Sequence, residues 1–311
     1  MTARVRLNDR ETGESGVERT LLIVNPAAGR KTGEKIMGGV KAALSENGAE
    51  VTCRVTNAPG HAAELAESAG GQYETIVCCG GDGTLHETLQ GLMRAETPPA
   101  LGYIPCGTTN DFASTLKLSR DPIEAARNIA RGAERLVLDV GRFGEDRFFS
   151  YVAAFGAFTE CSYGTPQPLK NALGYLAYLL EGSKDLFNLK SVSLRARWDG
   201  GEAEGEFVYG SVSNPMSIAA LVHLGEDQAA LDDGQLELML IRRPKTLDQL
   251  LRAVHMLKKS SFDGEQVIFA HVTRVEFEMS EPTAWTLDGE FGAATENVQI
   301  AVEPRALTFL R

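Results

Sequence analysis

Three apolar runs, "TLLIVNP" at residues 20–26, "YETIVCCGG" at 73–81 and "ALGYIPCG" at 100–107, each stop abruptly at an Asn-Pro or glycine turn. A strand that is apolar at successive positions has no face for water. It must be buried on both sides, as in a parallel sheet between two helical layers. The segments between these runs supply those layers. Lys35 to Asn47 has helical spacing, with Ile36, Val40 and Leu44 on one stripe and Gly48 as a stop. "EVTCRVT" alternates like a strand, and "HAAELAESA" and "TLHETLQGLMRA" are helical. In "DPIEAARNIARG", Asp121 is placed as N-cap and Pro122 as the first helical residue. The alternation predicts a doubly wound α/β domain, in which ligands sit at the carboxyl ends of the strands.

From about Leu136 the pattern changes. "RLVLDVGRF", "RFFSYVAAFG", "VSLRARW", "EGEFVYGSVSN", "QLELMLIR", "QVIFAHVTRVEFEM", "TAWTLDGE", "NVQIAV" and "ALTFL" read as short strands separated by Gly, Asp and Pro turns. They predict an all-β second domain, a β-sandwich, interrupted by two helical patches, "GYLAYLLEGSKDL" and "TLDQLLRAVHML". The expected organisation is a flexible leader over 1–19, an α/β domain over 20–138 and a β-sandwich over 139–311.

The formal charge of -11 argues against a surface that neutralises nucleic-acid phosphates, so no nucleic-acid partner is expected. No stretch reaches the ~18 consecutive apolar residues of a membrane span, and the first twenty residues lack the apolar core of a signal peptide. A cytoplasmic protein is expected, touching membranes at most from outside. The five cysteines, Cys53, Cys78, Cys79, Cys106 and Cys161, include no CxxC pair and read as reduced thiols. Cys78 and Cys79 read as small buried hydrophobes, whereas Cys106 lies in a loop.

Candidate chemistry collects at three strand exits. In "GGDGTLHE", Gly80, Gly81 and Gly83 either let a phosphate approach the backbone at a helix N-terminus or simply make a strand-to-helix turn. Asp82 favours the former with a cation added: a carboxylate among phosphate-binding amides needs Mg²⁺ between them, and Thr84 adds a hydroxyl donor. The motif is neither a Walker loop nor a dinucleotide fingerprint. In "NPAAGRK", Gly29 and the loop amides face the same edge, with Arg30 and Lys31 as neutralising charges; alone, this is a plain strand exit. In "PCGTTND", Thr108, Asn110 and Asp111 offer groups for ribose or phosphate, while Asp111 reads equally well as a helix N-cap. Late in the chain, "LDGE" places Asp288 and Glu290 around a glycine, which by itself reads as a hairpin turn. The histidines form no metal-binding pair, and His86 reads as an exposed first-turn residue.

Taken in order, "NPAAG", "GGDGTLHE", "PCGTTNDFA", "LDVGRF", "LDDGQLEL" and "LDGE" resemble the catalytic domain of the diacylglycerol kinase and sphingosine kinase family, in particular its soluble bacterial lipid kinases, from about residue 20 to the end. The resemblance implies an NAD kinase-like nucleotide domain, a C-terminal β-sandwich whose last strands pack back on the first domain, and an active site between the two. It implies ATP contacts at Asn25, Pro26, Ala27, Ala28 and Gly29, at Thr56, from Gly81 through Asp82, Gly83, Thr84, Leu85 and His86 to Glu87, and at Thr108. It implies Glu290 as proton acceptor for the substrate hydroxyl, Asp288 as its support, Asp139 as an aspartate at the domain junction that orients the base, and a structural Mg²⁺ held by the Asp233 side chain and the carbonyls of Ala230 and Gln235. ATP and Mg²⁺ are then the expected co-substrate and cofactor, and a lipid at a membrane surface the expected partner. The Tyr/Leu-rich stretch at 173–187 is either an acyl groove or ordinary core, and sheet edges leave a homodimer open. Two other readings stay open: a soluble-substrate kinase such as NAD kinase, which also carries GGDGT, and a nucleotide-binding regulator without chemistry.

Overall fold

The computed structural model describes residues 17–29, 33–132, 134–156, 190–214, 231–259 and 261–311, with the side chains of 33–35 outside that description. The first unit comprises β1 (Arg19–Val24), α1 (Gly33–Leu44), β2 (Glu50–Val55), α2 (His61–Ser68), β3 (Thr75–Gly80), α3 (Asp82–Arg94), β4 (Ala100–Pro105), α4 (Asp111–Thr115) and α5 (Pro122–Ala130). The strands pair in parallel in the order β2-β1-β3-β4. Their unbroken apolar runs are explained by the two layers. Leu21, Ile23, Ile76 and Cys78 face a core with α2, α3 and α4, while Leu22, Val24, Val77 and Cys79 face a second core with α1 and α5. Asp121 caps α5 as expected, its Oδ1 accepting from the amides of Ile123 and Glu124 at 2.9 Å each. The N-cap of α4 is Asn110 rather than Asp111, which is the first residue of the helix.

The second unit comprises β5 (Arg135–Phe143), β6 (Arg147–Phe149), β7 (Val152–Gly156), β8 (Val192–Trp198), β9 (Gly201–Ser213), β10 (Leu236–Arg242), α6 (Leu247–Lys259), β11 (Val267–Val272), β12 (Arg274–Leu287) and β13 (Glu290–Leu310). It is sandwich-like, as the sequence leads one to expect. Trp285, Phe155, Phe277, Phe207 and Phe143 fill a core between its sheet layers, with edge-to-face rings 4.7 Å apart between Phe155 and Trp285. A second core lies under α6, the helix expected from "TLDQLLRAVHML". The other patch, 173–187, lies outside the described residues, as do Cys161, Ala230, Arg30, Lys31 and residues 1–16.

The segmentation differs from the sequence reading in several places: "QVIFAHVTRVEFEM" divides at Thr273, and its second half runs on through "TAWTL" as β12. "NVQIAV" and "ALTFL" are one strand, β13, interrupted by a register shift between Glu303 and Leu307. Pro304 has no amide to give a ladder, and Arg305 adopts φ 54°, so the "EPR" turn signal marks a bulge inside a strand. Conversely, "RFFSYVAAFG" splits at Ser150 and Tyr151. The far end of β13 runs parallel to β4, pairing Phe309 with Leu101 and Leu310 with Gly102, so the last residues of the chain complete the first unit's sheet. Strand β5 pairs with β13 on both sides of the bulge, and the boundary expected at 138/139 falls inside it. No helix among the described residues is long and apolar enough to cross a membrane.

Helices α2 and α3 cross at Gly91, where a Cβ would lie 2.1 Å from the Ala63 carbonyl oxygen. Gly91→Ala is therefore expected to destabilise the fold by ~1–3 kcal/mol. Gly38, exposed in α1 with nothing within 4 Å of where a Cβ would stand, is expected to do the opposite. Gly38→Ala should gain about 0.5–1 kcal/mol, and urea unfolding of the two variants tests the contrast.

Candidate active site

The carboxyl ends of β1, β2, β3 and β4 share one edge of the parallel sheet, so the loops that follow them converge. The Asn25 amide donates to the Cys79 carbonyl at 2.9 Å, and the Thr56 amide donates to the Val24 carbonyl at 2.9 Å. Asn25 Oδ1 accepts from the Ala27 amide, and its Nδ2 donates to Thr84 Oγ1 at 2.8 Å. Thr84 thus turns inward, tucked beneath Gly80, where any Cβ would come within 2.6 Å of its own. Asn25 and Thr84 clamp the two loops together. Gly29 adopts φ 59°, which closes the first loop.

Gly81 and Gly107 meet backbone to backbone: a Cβ on Gly107 would lie 2.7 Å from the Gly81 Cα. Asn110 locks the second of these loops. It sits at φ 51°, its Oδ1 accepts from the Gly107 amide at 2.9 Å and from the Tyr103 hydroxyl at 3.2 Å, and its Nδ2 donates to the Gly107 carbonyl. Its polar atoms therefore shape the loop rather than face outward. Thr108 is exposed at the tip, and Pro26, Ala27 and Ala28 form the turn after β1.

Behind these loops is an acidic pocket lined by Asp82, His86, Asp111 and Asp288, with Leu85, Phe112 and Tyr151. Asp82 is the first residue of α3, and its Oδ2 accepts from the Asp111 amide at 3.3 Å, while its Oδ1 is buried without a partner. Burial raises its carboxyl above the usual aspartate range; the α4 amides oppose that shift, and Asp288 adds to it. Asp111 is 8% exposed, with Oδ2 also unpartnered. Burial pushes its carboxyl up to about 6, and the neighbouring Asp82 charge contributes. A half-buried and a buried carboxylate, each with a buried idle oxygen, fit a divalent cation, which needs hard oxygen donors and offsets the charge that burial disfavours.

Asp288 lies across the cleft in the hairpin between β12 and β13. Asp288 and Gly289 both have positive φ, 52° and 90°, the geometry of a two-residue Asp-Gly turn. Its carboxylate is fully engaged. Oδ1 accepts from the Tyr151 and Val152 amides at 2.8 and 3.0 Å, and Oδ2 from the Ser150 amide at 2.9 Å. These amides account for the break between β6 and β7. The turn carries Glu290, whose Oε1 lies close over Gly83: a Cβ there would approach it to 2.9 Å. Glu290 therefore stands at the N-terminus of α3, from the opposite unit. His86 is not the exposed residue the sequence suggests. Its side chain is 14% exposed, and Nδ1 lies 3.3 Å from Asp288 Oδ2. The helix face it occupies is covered by a residue 202 positions later, which no local pattern reveals. Glu87 lies half-buried in the same turn.

Two further residues named from the sequence lie apart from the pocket. Asp139, expected to orient the base, is 1% exposed in β5; its oxygens accept from the Gly234 and Arg305 amides, each at 2.7 Å. It pins the 231–235 loop and the β13 bulge and does not line the pocket. Asp233 is exposed, and its Oδ1 accepts from the Gln235 amide at 2.9 Å, an Asx turn. Its Oδ2 is not engaged by that turn, and Ala230, the other side of the Mg²⁺ set that the resemblance implies, lies outside the described residues. Ser150 and Tyr151, which hold Asp288, left no signal beyond an apolar strand-like run.

A nucleotide-type parallel sheet whose glycine turns face a hairpin carboxylate supplied by a sandwich-like unit is the arrangement of a two-unit kinase. A family model described as the diacylglycerol kinase catalytic domain matches residues 19–143, and another, the YegS C-terminal NAD kinase beta sandwich-like domain, matches 166–311. The chain is 32% identical over 278 residues to a diacylglycerol kinase of Bacillus subtilis (strain 168), covering 89% of this chain and 91% of that one. It is 31% identical over 281 residues to a diacylglycerol kinase of Staphylococcus aureus (strain Newman), covering 88% and 87%. A crystal structure of a diacylglycerol kinase from Bacillus anthracis str. Sterne shares the fold with a TM-score of 0.72 at 21% identity, over 96% of this chain and 98% of that one. This chain belongs to the diacylglycerol kinase family and is a kinase, as its ordered motifs imply.

The raised Asp111 carboxyl has a pH signature. Its proton is held more tightly in the folded than in the unfolded chain, so its stabilising contribution is complete below the ordinary value of 3.8 and is lost as pH rises through about 6. Without divalent cations, Asp111→Asn should melt above the parent protein at pH 8 and lose that advantage near pH 4. A melting difference independent of pH would contradict this placement of Asp111.

Proposed function

We propose that the protein transfers the γ-phosphoryl group of ATP, with Mg²⁺, to a hydroxyl of a lipid such as diacylglycerol or a sphingoid base. The observation that carries this reading is the pair of carboxylates with buried idle oxygens, Asp82 and Asp111, beside the glycine turns and opposite Glu290. The names of the curated relatives support the lipid class.

In this reading the loops at Asn25–Gly29, Gly81–Gly83 and Gly107–Thr108 offer backbone amides to the phosphates, reinforced by the α3 N-terminus. Asp82 and Asp111 would hold Mg²⁺, which neutralises charge developing on the phosphoryl oxygens. Glu290 accepts the proton of the acceptor hydroxyl. Asp288 does not react; its three backbone donors fix the turn that aims Glu290 across the cleft. Thr56 and Glu87, near the same loops, are proposed nucleotide contacts. The acceptor would be reached by a cytoplasmic protein docking on a membrane surface.

Incubation with Mg²⁺ and γ-labelled ATP, against diacylglycerol or sphingoid-base vesicles in one arm and NAD in another, tests the reading. Label in the chloroform-extracted lipid is the expected result. Label on NAD alone would establish the soluble-substrate kinase instead, and ATP binding without transfer a regulator. Glu290→Gln should retain ATP affinity while kcat falls by about 10²–10⁴.

A further inference from the structure

Cys79 and Cys106 are read from sequence as unrelated reduced thiols, yet their sulfurs lie 3.4 Å apart across β3 and β4. Cys79 is fully buried in the central strand, whereas Cys106 is partly exposed where the chain leaves β4. Their backbones are also joined, the Cys106 amide donating to the Gly80 carbonyl at 2.7 Å. Each cysteine directly precedes a glycine loop of the candidate site: Cys79 is followed by Gly80, Gly81 and Asp82, and Cys106 by Gly107 and Thr108.

We propose that Cys79 and Cys106 are an oxidisable pair, a modification site for a hydroperoxide, whose disulfide distorts the two phosphate-facing loops. Burial keeps the Cys79 proton in place, and with the Cys79 S–H as donor in the 3.4 Å contact the Cys106 thiol is held below its ordinary range. Cys106 is the partly exposed sulfur of the pair, so it is the one that peroxide can reach and the one that attacks. Its sulfur attacks one peroxide oxygen, the O–O bond breaks, water leaves after proton uptake, and Cys106 becomes a sulfenic acid. Cys79 then gives up its proton, its sulfur bonds to the Cys106 sulfur, and the hydroxyl leaves as a second water. One peroxide is reduced by two electrons, and each thiol supplies one.

Closing the bond requires the sulfurs to approach to about 2.05 Å. Cys79 belongs to a strand paired on both sides, so the shift falls on the 106–110 loop. That loop has no slack, because Gly107 already touches Gly81 and Asn110 already holds Gly107. The displacement therefore passes to Gly81 and Asp82.

The test treats the full-length protein with hydrogen peroxide, maps disulfides by peptide mass spectrometry, and measures Mg·ATP affinity before and after dithiothreitol. The expected result is a Cys79–Cys106 cross-link, Mg·ATP affinity about 10-fold weaker, full reversal by dithiothreitol, and a Cys106→Ser variant whose affinity ignores peroxide. Both thiols remaining alkylatable under conditions that oxidise Cys53, over-oxidation of Cys106 without a cross-link, or a cross-link that leaves affinity unchanged would each overturn the proposal. Reduced protein that does not bind ATP would instead count against the proposed kinase reaction, while the peptide map still decides the thiol pair.

Discussion

Strand β13, 21 residues long, is the element on which the rest of the structure depends. It starts at Glu290, pairs with β12 and β5, bends at Pro304 and Arg305, and ends in register with β4. One strand therefore carries the hairpin carboxylate at one end and closes the nucleotide-type sheet with the other. Its bend is held by Asp139, whose two oxygens are committed to Arg305 and Gly234. A buried carboxylate satisfied by backbone amides is stable only where those amides stay, so the bulge and the 231–235 loop are fixed together.

The two sides of the cleft use aspartate in opposite ways. Asp288 is saturated with donors from Ser150, Tyr151 and Val152, which makes it a rigid anchor. Asp82 and Asp111 each keep a buried oxygen with acceptor capacity left over, and their carboxyls are raised accordingly. The first arrangement stabilises the fold; the second opposes it unless a cation arrives, as is common where a site is shaped for a ligand. His86, facing Asp288, joins the two sides.

Much of the fold is legible along the chain. Doubly apolar runs require two helical layers, and Leu22 and Ile23 do point to different cores. Asp121 and Pro122 mark the start of α5 by local chemistry alone. Turn chemistry misleads where a distant group overrules it: Pro304 suggests a strand end, but Asp139, 166 positions from Arg305, supplies the acceptor that carries the strand through. The same limit applies at the site. Gly81 and Asp82 stand out because their residue types are informative, and Glu290 only through the resemblance of the ordered motifs, whereas Ser150 and Tyr151 act through amides that every residue possesses.

The sequence by itself determined the class of architecture, the family, and the identities of the acidic and glycine residues at the strand exits, because periodicity and turn preference are short-range properties of the chain. Only the tertiary structure decided that Asn110 and Thr84 turn inward, that His86 faces Asp288, that Glu290 lies over Gly83, and that Cys79 meets Cys106. Each of these depends on which backbone a side chain meets after strands far apart in sequence have paired, and no local signal carries that distance.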